Sequence, residues 1–215
     1  MLVPRTPGQD QAVAQPMSTA ITVSDLRRPP TVSIWVAATV GPLMIVAALP
    51  TFGHSAQTLG GRIGPVLLGG GLLVTALSIA VAGVLLVLWC SRARAFASGR
   101  SGRRPRLSPA LSTMSWFIPI GNLWLPAVAM RDLVELAVDS DATVGGRLWG
   151  WWMCWVGSWI VLLVGIVSFA SHPDGMAGLL AVTLFLFTAL LFAAGAFLTG
   201  LLRRIVRSLT PDTVI

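Results

Sequence analysis

The chain has 215 residues, of which 55% are hydrophobic and only 11% are charged, and its mean hydropathy is +0.81. Soluble domains carry about 25% charged residues, so this composition excludes an ordinary soluble protein and predicts one that lipid covers. The formal net charge is +7, and all fifteen positions of the Lys and Arg type are Arg. These arginines flank apolar runs, as orientation signals do, which argues against nucleic-acid binding.

The first predicted elements are a tail and a transmembrane helix. Residues 1–30 are rich in Pro, Gln, Thr and Ser, which is typical of a disordered cytoplasmic tail. The apolar run over residues 31–49 is about one bilayer long and predicts a helix. Pro42 is expected to kink it, because a proline within a helix removes one backbone hydrogen bond.

A second apolar run, over residues 63–90, predicts the next transmembrane helix, with Pro65 in its first turn. Arg92 and Arg94 follow it and are expected to lie in water. The arginines of the loop that comes next are predicted to contact anionic lipid headgroups or only to orient the second helix, two roles that are compatible. They are Arg100, Arg103, Arg104 and Arg106.

Residues 107–130 form a run of 24 residues without a charge, which is long enough to cross a bilayer, yet three prolines interrupt it. If the run crosses, the arginines divide nine against six between the two sides of the membrane. If it does not cross, fourteen lie on one side and only Arg62 on the other. Because the side richer in arginine is cytoplasmic, the sequence favours four spans in the cell membrane (plasma or inner), with both chain ends in the cytoplasm. Five spans are the alternative.

The third and fourth transmembrane helices are predicted over residues 148–170 and 176–202. With the first two they make a single membrane domain over residues 31–207, followed by a short tail over residues 208–215. The third helix begins with an aromatic belt that is typical of a membrane interface. Its tryptophans are Trp149, Trp151, Trp152, Trp155 and Trp159.

The segment between the second and third spans is predicted to be a helical hairpin over residues 108–139 that faces the cytoplasm. Ser108 is the expected N-cap of a short first helix, and Asn122 is the expected cap of a second helix with Pro126 in its first turn. Polar residues of the second helix share one arc that is expected to be solvated and ion-paired. They are Arg131, Asp132, Glu135 and Asp139. Because the apolar half of this helix is too short to cross, we expect a re-entrant or interfacial hairpin within an all-α integral membrane protein.

The order of these features is distinctive. A tryptophan and two arginines end one helix, the stretch SPALSTMSWFIPIGNLWLP follows, then MRDL, and then a tryptophan-rich span. This order resembles the bacterial membrane proteins of the domain of unknown function 4328 family over about residues 60–205. The resemblance implies that Trp116, Pro119, Asn122 and Pro126 belong to the family's defining element. The family has no established activity, so the resemblance implies no catalytic residue.

Ionisable residues bear on the function. No Asp, Glu or Arg lies inside the four predicted spans, which argues against a proton-coupled pump or an intramembrane enzyme. His54 and His172, like Cys90 and Cys154, lack the spacing of a metal site or a disulfide framework. The sequence therefore predicts no metal, no cofactor and no catalytic residue.

We expect a non-enzymatic accessory or scaffold protein that contacts the lipid bilayer and forms a homo-oligomer or binds another membrane protein. One alternative is a small-solute channel or transporter with Asn122 near the pathway, because a helix N-terminus at membrane depth can bind an anion. Another is an enzyme that acts on lipid headgroups at the arginine-lined face. The candidate interaction residues are Trp116, Pro119, Asn122, Pro126, Arg131 and Asp132.

Overall fold

The computed structural model describes residues 26–48, 50, 59–102, 105–114, 116, 124–138, 142–171 and 177–210. Six helices fall within these residues. They are α1 (Thr31–Ala48), α2 (Leu59–Ser101), α3 (Pro109–Met114), α4 (Leu125–Ala137), α5 (Ala142–Ser171) and α6 (Ala177–Leu209).

Four of these helices, α1, α2, α5 and α6, are long and apolar enough to cross a membrane. The described part of the segment between α2 and α5 contains two short helices, α3 with six residues and α4 with thirteen. A crossing helix needs about 20 residues, so neither short helix spans a bilayer by itself. The prediction of an all-helical chain with four candidate transmembrane helices is confirmed.

Close contacts between small residues join the long helices in pairs. Gly41 of α1 lies so near α2 that a Cβ atom placed on it would be 2.5 Å from the backbone nitrogen of Thr75 and 2.8 Å from the carbonyl oxygen of Gly71. In the other pair, a Cβ atom on Gly165 of α5 would be 2.8 Å from the Cβ of Thr183 in α6. Glycine permits these approaches, as it does in other pairs of membrane helices.

Helix α2 is longer than the predicted helix over residues 63–90. It begins at Leu59 and ends at Ser101, and 43 residues at 1.5 Å each give a length of about 64 Å. The hydrocarbon core of a bilayer is about 30 Å thick, so much of α2 lies outside it. The extension is helical because alanine and arginine are strong helix formers and because Ala93 and Ala97 are buried against the rest of the protein.

Helices α5 and α6 also extend past their predicted ends, because hydropathy marks the membrane boundary and these helices continue beyond it. Helix α5 starts at Ala142 rather than at residue 148, and α6 ends at Leu209 rather than at residue 202. Pro65 lies beyond the first turn of α2, since that helix starts earlier than predicted. Trp151 and Trp152 are buried, so part of the predicted aromatic belt belongs to the protein core.

The long helices share one hydrophobic core at the end of the bundle where α2 and α6 finish, here called the basic end. Leu26 is fully buried in this core, and its carbonyl oxygen accepts a hydrogen bond from Trp89 Nε1 at 3.3 Å. The prediction of disorder is therefore corrected for residues 26–30. Residues 1–25 lie outside the described part of the chain.

Candidate functional site

The first part of the predicted hairpin is α3. Ser108 precedes this helix, and its Oγ accepts a hydrogen bond from the backbone N–H of Leu111 at 3.2 Å. Ser108 is therefore the N-cap that the sequence predicted. The helix ends at Met114, and the half-buried Trp116 follows with its ring centroid 6.3 Å from that of Trp151. Trp116 thus packs against the first half of α5.

Helix α4 begins later than predicted. Its N-cap position is Trp124, which makes no side-chain cap hydrogen bond, and the buried Pro126 lies in its first turn as predicted. Asn122 is therefore not the N-cap that the sequence predicted. Proline lacks an N–H and has a fixed φ, so it favours a helix start directly before it. Asn122 and Pro119 themselves lie outside the described residues.

A buried ion pair joins α4 to α2. Arg94 Nη2 of α2 donates to Asp132 Oδ2 of α4, and the two side chains are only 6% and 5% exposed. Asp132 also accepts hydrogen bonds from the backbone N–H groups of Arg106, at 3.1 Å, and of Leu107, at 3.4 Å. Arg94 Nη2 donates in addition to the carbonyl oxygen of Leu107 at 2.8 Å. These contacts fasten α2, α4 and the loop before α3 to one another.

This pair corrects two predictions. The sequence placed Arg94 in water and Asp132 on a solvated arc of α4, yet both residues are buried. Arg94 is covered because α2 continues past the span and packs against α4. Asp132 lies at the edge of the predicted arc and faces α2, whereas Arg131 is exposed. A buried charge is costly unless it is paired, so Arg94 and Asp132 each depend on the other to remain buried.

The outer side of α4 carries the exposed charges. Arg131 Nε donates to Glu135 Oε1 at 2.9 Å, an i,i+4 pair within the arc that the sequence predicted to be ion-paired. Arg106 pairs with the same carboxylate, with 2.9 Å between Nη2 and Oε2. The side chains of Arg106 and Arg131 are 71% and 60% exposed. One side of α4 therefore holds the helix in place, and the other presents charge to solvent.

The arginines predicted to contact lipid headgroups have separate positions. Arg100 Nη1 donates to the carbonyl oxygen of Leu209 at 3.0 Å, which ties the end of α2 to the end of α6. Arg106 lies beside α4, as described above. Arg103 and Arg104 lie outside the described residues. Headgroup contact stays a prediction for all four.

Arg94 is the residue that sequence reasoning missed as a candidate. A signal for it exists, because Cys90, Arg94 and Ala97 lie at positions i, i+4 and i+7 and so share one face of a continuous helix. Among the residues that the structure describes, no group of three or more His, Cys, Asp or Glu could hold a metal ion. His54 and His172 fall outside that part of the chain, so the prediction about them is untested.

Comparison with known proteins gives a family. No curated protein and no solved structure matches the chain. One family profile matches residues 62–210, which reach from the first turn of α2 to just past the end of α6 and leave α1 outside. The match covers well over half of the chain and includes the stretch that carries the resemblance. The chain therefore belongs to the family described as Domain of unknown function (DUF4328).

Proposed function

We propose that the chain is a non-enzymatic accessory or scaffold protein of the cell membrane. In this proposal the described part of residues 105–138, here called the platform, lies on the cytoplasmic side and binds a second copy of the chain or another membrane protein. The observation that carries the proposal is the buried pair of Arg94 and Asp132, which fastens the platform to α2. A segment held in this way presents its outer charges in a constant geometry.

The distribution of arginine supports a cytoplasmic position for the basic end. Of the twelve arginines that the structure describes, eleven belong to this end and only Arg62 to the other. The positive-inside rule assigns the arginine-rich side to the cytoplasm. The eleven are Arg27, Arg28, Arg92, Arg94, Arg100, Arg106, Arg131, Arg147, Arg203, Arg204 and Arg207.

Paired reporter fusions test this orientation. A reporter that is active only in the cytoplasm is expected to be active when it is fused after Ile215 and inactive when it is fused after Ser171. A reporter that is active only outside the cytoplasm should give the opposite result at both sites. Activity of the second reporter after Ile215 would contradict the proposed orientation.

Exposed apolar side chains support an interfacial or re-entrant position for the platform. Leu111 and Met114 of α3 are 41% and 59% exposed, and Trp124 and Val128 near the start of α4 are 52% and 42% exposed. Tryptophan is enriched at membrane interfaces, and apolar side chains beside charged ones are typical of helices that lie in the headgroup region. We therefore expect the apolar side of the platform to contact lipid and its charged side to face the cytoplasm.

Charge reversal on the platform tests the binding role. The wild-type chain, purified in mild detergent, is expected to retain a partner or a second copy. The double variant Arg106→Glu/Arg131→Glu is expected to retain about tenfold less of it, because a positive surface becomes negative. Arg203→Glu is the matched control, since Arg203 is exposed at the same end but lies outside the platform. Elution of the single chain alone from all three preparations would contradict the proposal.

The alternative of a small-solute channel or transporter stays a prediction, because Asn122 lies outside the described residues. A flux assay in proteoliposomes tests it by comparing the wild-type chain with Asn122→Leu. A solute flux that the substitution abolishes would contradict the scaffold proposal.

A further inference from the structure

A cavity of about 260 Å³ lies between α2, α3 and α4 at the basic end. Apolar side chains make up most of its wall, and polar residues from two helices join them. The polar or aromatic residues are Ser91, Arg94 and Ser98 of α2, Ser112 and Thr113 of α3, and Trp116. Small-molecule pockets begin at about 300 Å³, so a cavity of this size fits the head of a ligand rather than a whole one.

Arg94 has donors without a partner among the described residues. Its Nη2 donates to Asp132 and to Leu107, whereas Nε and Nη1 are buried and make no hydrogen bond to a described residue. Buried polar atoms in folded proteins nearly always have a partner. The hydroxyl groups of Ser91 and Ser98 donate to carbonyl oxygens of their own helix. A phosphate or carboxylate oxygen is the strongest acceptor for the unpartnered guanidinium donors.

The charges around Arg94 fall into two groups. Arg94 and Asp132 are buried and balance each other, whereas Arg106 and Arg131 are exposed and pair with Glu135 on the outer side of α4. The unpartnered guanidinium donors of Arg94 are therefore the feature that favours an anionic ligand.

A second cavity, of about 300 Å³, lies among α1, α2, α5 and α6. Its wall is almost wholly apolar and includes small residues such as Ala38, Gly83 and Ala194. Val87 and Trp116 line both cavities, so the two are neighbours. Apolar cavities stay dry and accept apolar ligands, so the second cavity suits a hydrocarbon chain.

We infer that the two cavities together bind an anionic amphiphile. Its phosphate or carboxylate head accepts hydrogen bonds from Arg94, and one hydrocarbon chain lies in the apolar cavity beyond Trp116. The head of this ligand lies on the inner side of the platform, whereas the proposed partner surface is its outer, charged side, so either can exist without the other. A free phosphate ion would supply the same head chemistry from water, so the test must distinguish the two sources.

The test is equilibrium binding of radiolabelled dodecyl phosphate to the full chain in phosphatidylcholine nanodiscs, with binding to empty nanodiscs subtracted. Two further probes divide this ligand. Inorganic phosphate has the head without the chain, and dodecanol has the chain without the head. The expected result is saturable binding of one dodecyl phosphate per chain, at least about tenfold tighter than the binding of either part.

Two variants each remove one half of the site. Arg94→Lys keeps a positive charge beside Asp132, but its single ammonium group is engaged there, so the affinity for dodecyl phosphate is expected to fall about tenfold or more. Gly83 lines the apolar cavity and a Cβ there meets nothing within 4 Å, so Gly83→Leu is expected to fill part of the cavity without a clash at its Cβ. Its affinity is expected to fall by about as much. Gly69→Leu is the matched control, because it lies on the same helix in equally open surroundings and lines neither cavity.

Four results would overturn the inference. Inorganic phosphate that binds as tightly as dodecyl phosphate leaves the apolar cavity without a role, and dodecanol that does so leaves Arg94 without one. Full affinity in Gly83→Leu, or an equal loss in Gly69→Leu, means that the ligand binds elsewhere. If Arg94→Lys lowers the melting temperature, Gly83→Leu decides the question, since it does not touch the ion pair.

Discussion

Near Gly41 and Gly165, the helices of the bundle touch in pairs through glycine and threonine, and a Cβ atom on either glycine would clash with the facing helix. At the basic end, tryptophans, leucines and a buried ion pair bring five helices into one core. The difference follows from the surroundings. Lipid chains are as apolar as leucine, so association in a bilayer depends on close fit. Where α2 and α6 continue past their apolar runs, water drives side chains such as Ala97 and Ile205 into the core, and this part of the core can also enclose a paired charge.

The largest effect is expected at the basic end, from Asp132→Ala. The substitution leaves the Arg94 guanidinium buried without its carboxylate, which costs about 3–5 kcal/mol. Equilibrium unfolding in mixed micelles measures the loss, and trypsin should cut the platform faster. Glu135→Ala is the control, because its partners are exposed and its loss should stay below about 1 kcal/mol. Equal losses of unfolding free energy in the two variants would show that the buried Arg94–Asp132 pair stabilises the protein no more than the exposed pairs of Glu135.

A smaller effect is expected in the other region, from Gly41→Ala. A Cβ there meets the backbone of α2 at Thr75, and such overpacking costs about 1–3 kcal/mol. The same substitution at Gly69, where a Cβ meets nothing within 4 Å, should stabilise α2 by up to about 1 kcal/mol. Melting temperatures in one detergent compare the two variants. A shift of the same sign in both would refute the close approach of α1 and α2.

The smallest effect is expected on the outer side of α4. A double-mutant cycle between Arg131→Ala and Glu135→Ala should give a coupling energy of about 0.3–0.5 kcal/mol, because both side chains are in contact with solvent. The coupling should shrink as salt rises, since salt screens exposed charges. A coupling that exceeds about 2 kcal/mol, or that ignores salt, would mean that the two sides of α4 are not as different as their exposure indicates.

Features that depend on local chemistry could be predicted from the sequence. The four long apolar runs give four candidate spans, because a bilayer sets the length of the helix that crosses it. Ser108 caps α3 and Pro126 lies in the first turn of α4, since both residues act within one turn of their own position.

Features that depend on how helices meet could not be predicted from the sequence. Hydropathy reports where the membrane ends, and α2 continues eleven residues beyond its predicted end at Cys90. That extension creates the surface that covers Arg94 and Asp132. A prediction that ends the helix at the membrane boundary therefore places both charges in water. Which residues of α4 are buried depends on the rotation of this helix about its axis. Asp132 faces the protein and Arg131 faces away, although the two are neighbours in sequence.

Trp89 and Arg100 of α2 each hold one described end of the chain, through their hydrogen bonds to Leu26 and to Leu209. Trp89 and Arg100 are eleven residues apart, which is about 16 Å along the helix axis. Spin labels on cysteines placed at Arg28 and Thr210 should therefore give a short, narrow distance distribution in the folded protein. A broadened distribution would report loosening at the basic end under any lipid or detergent condition, before a ligand or a partner has been identified.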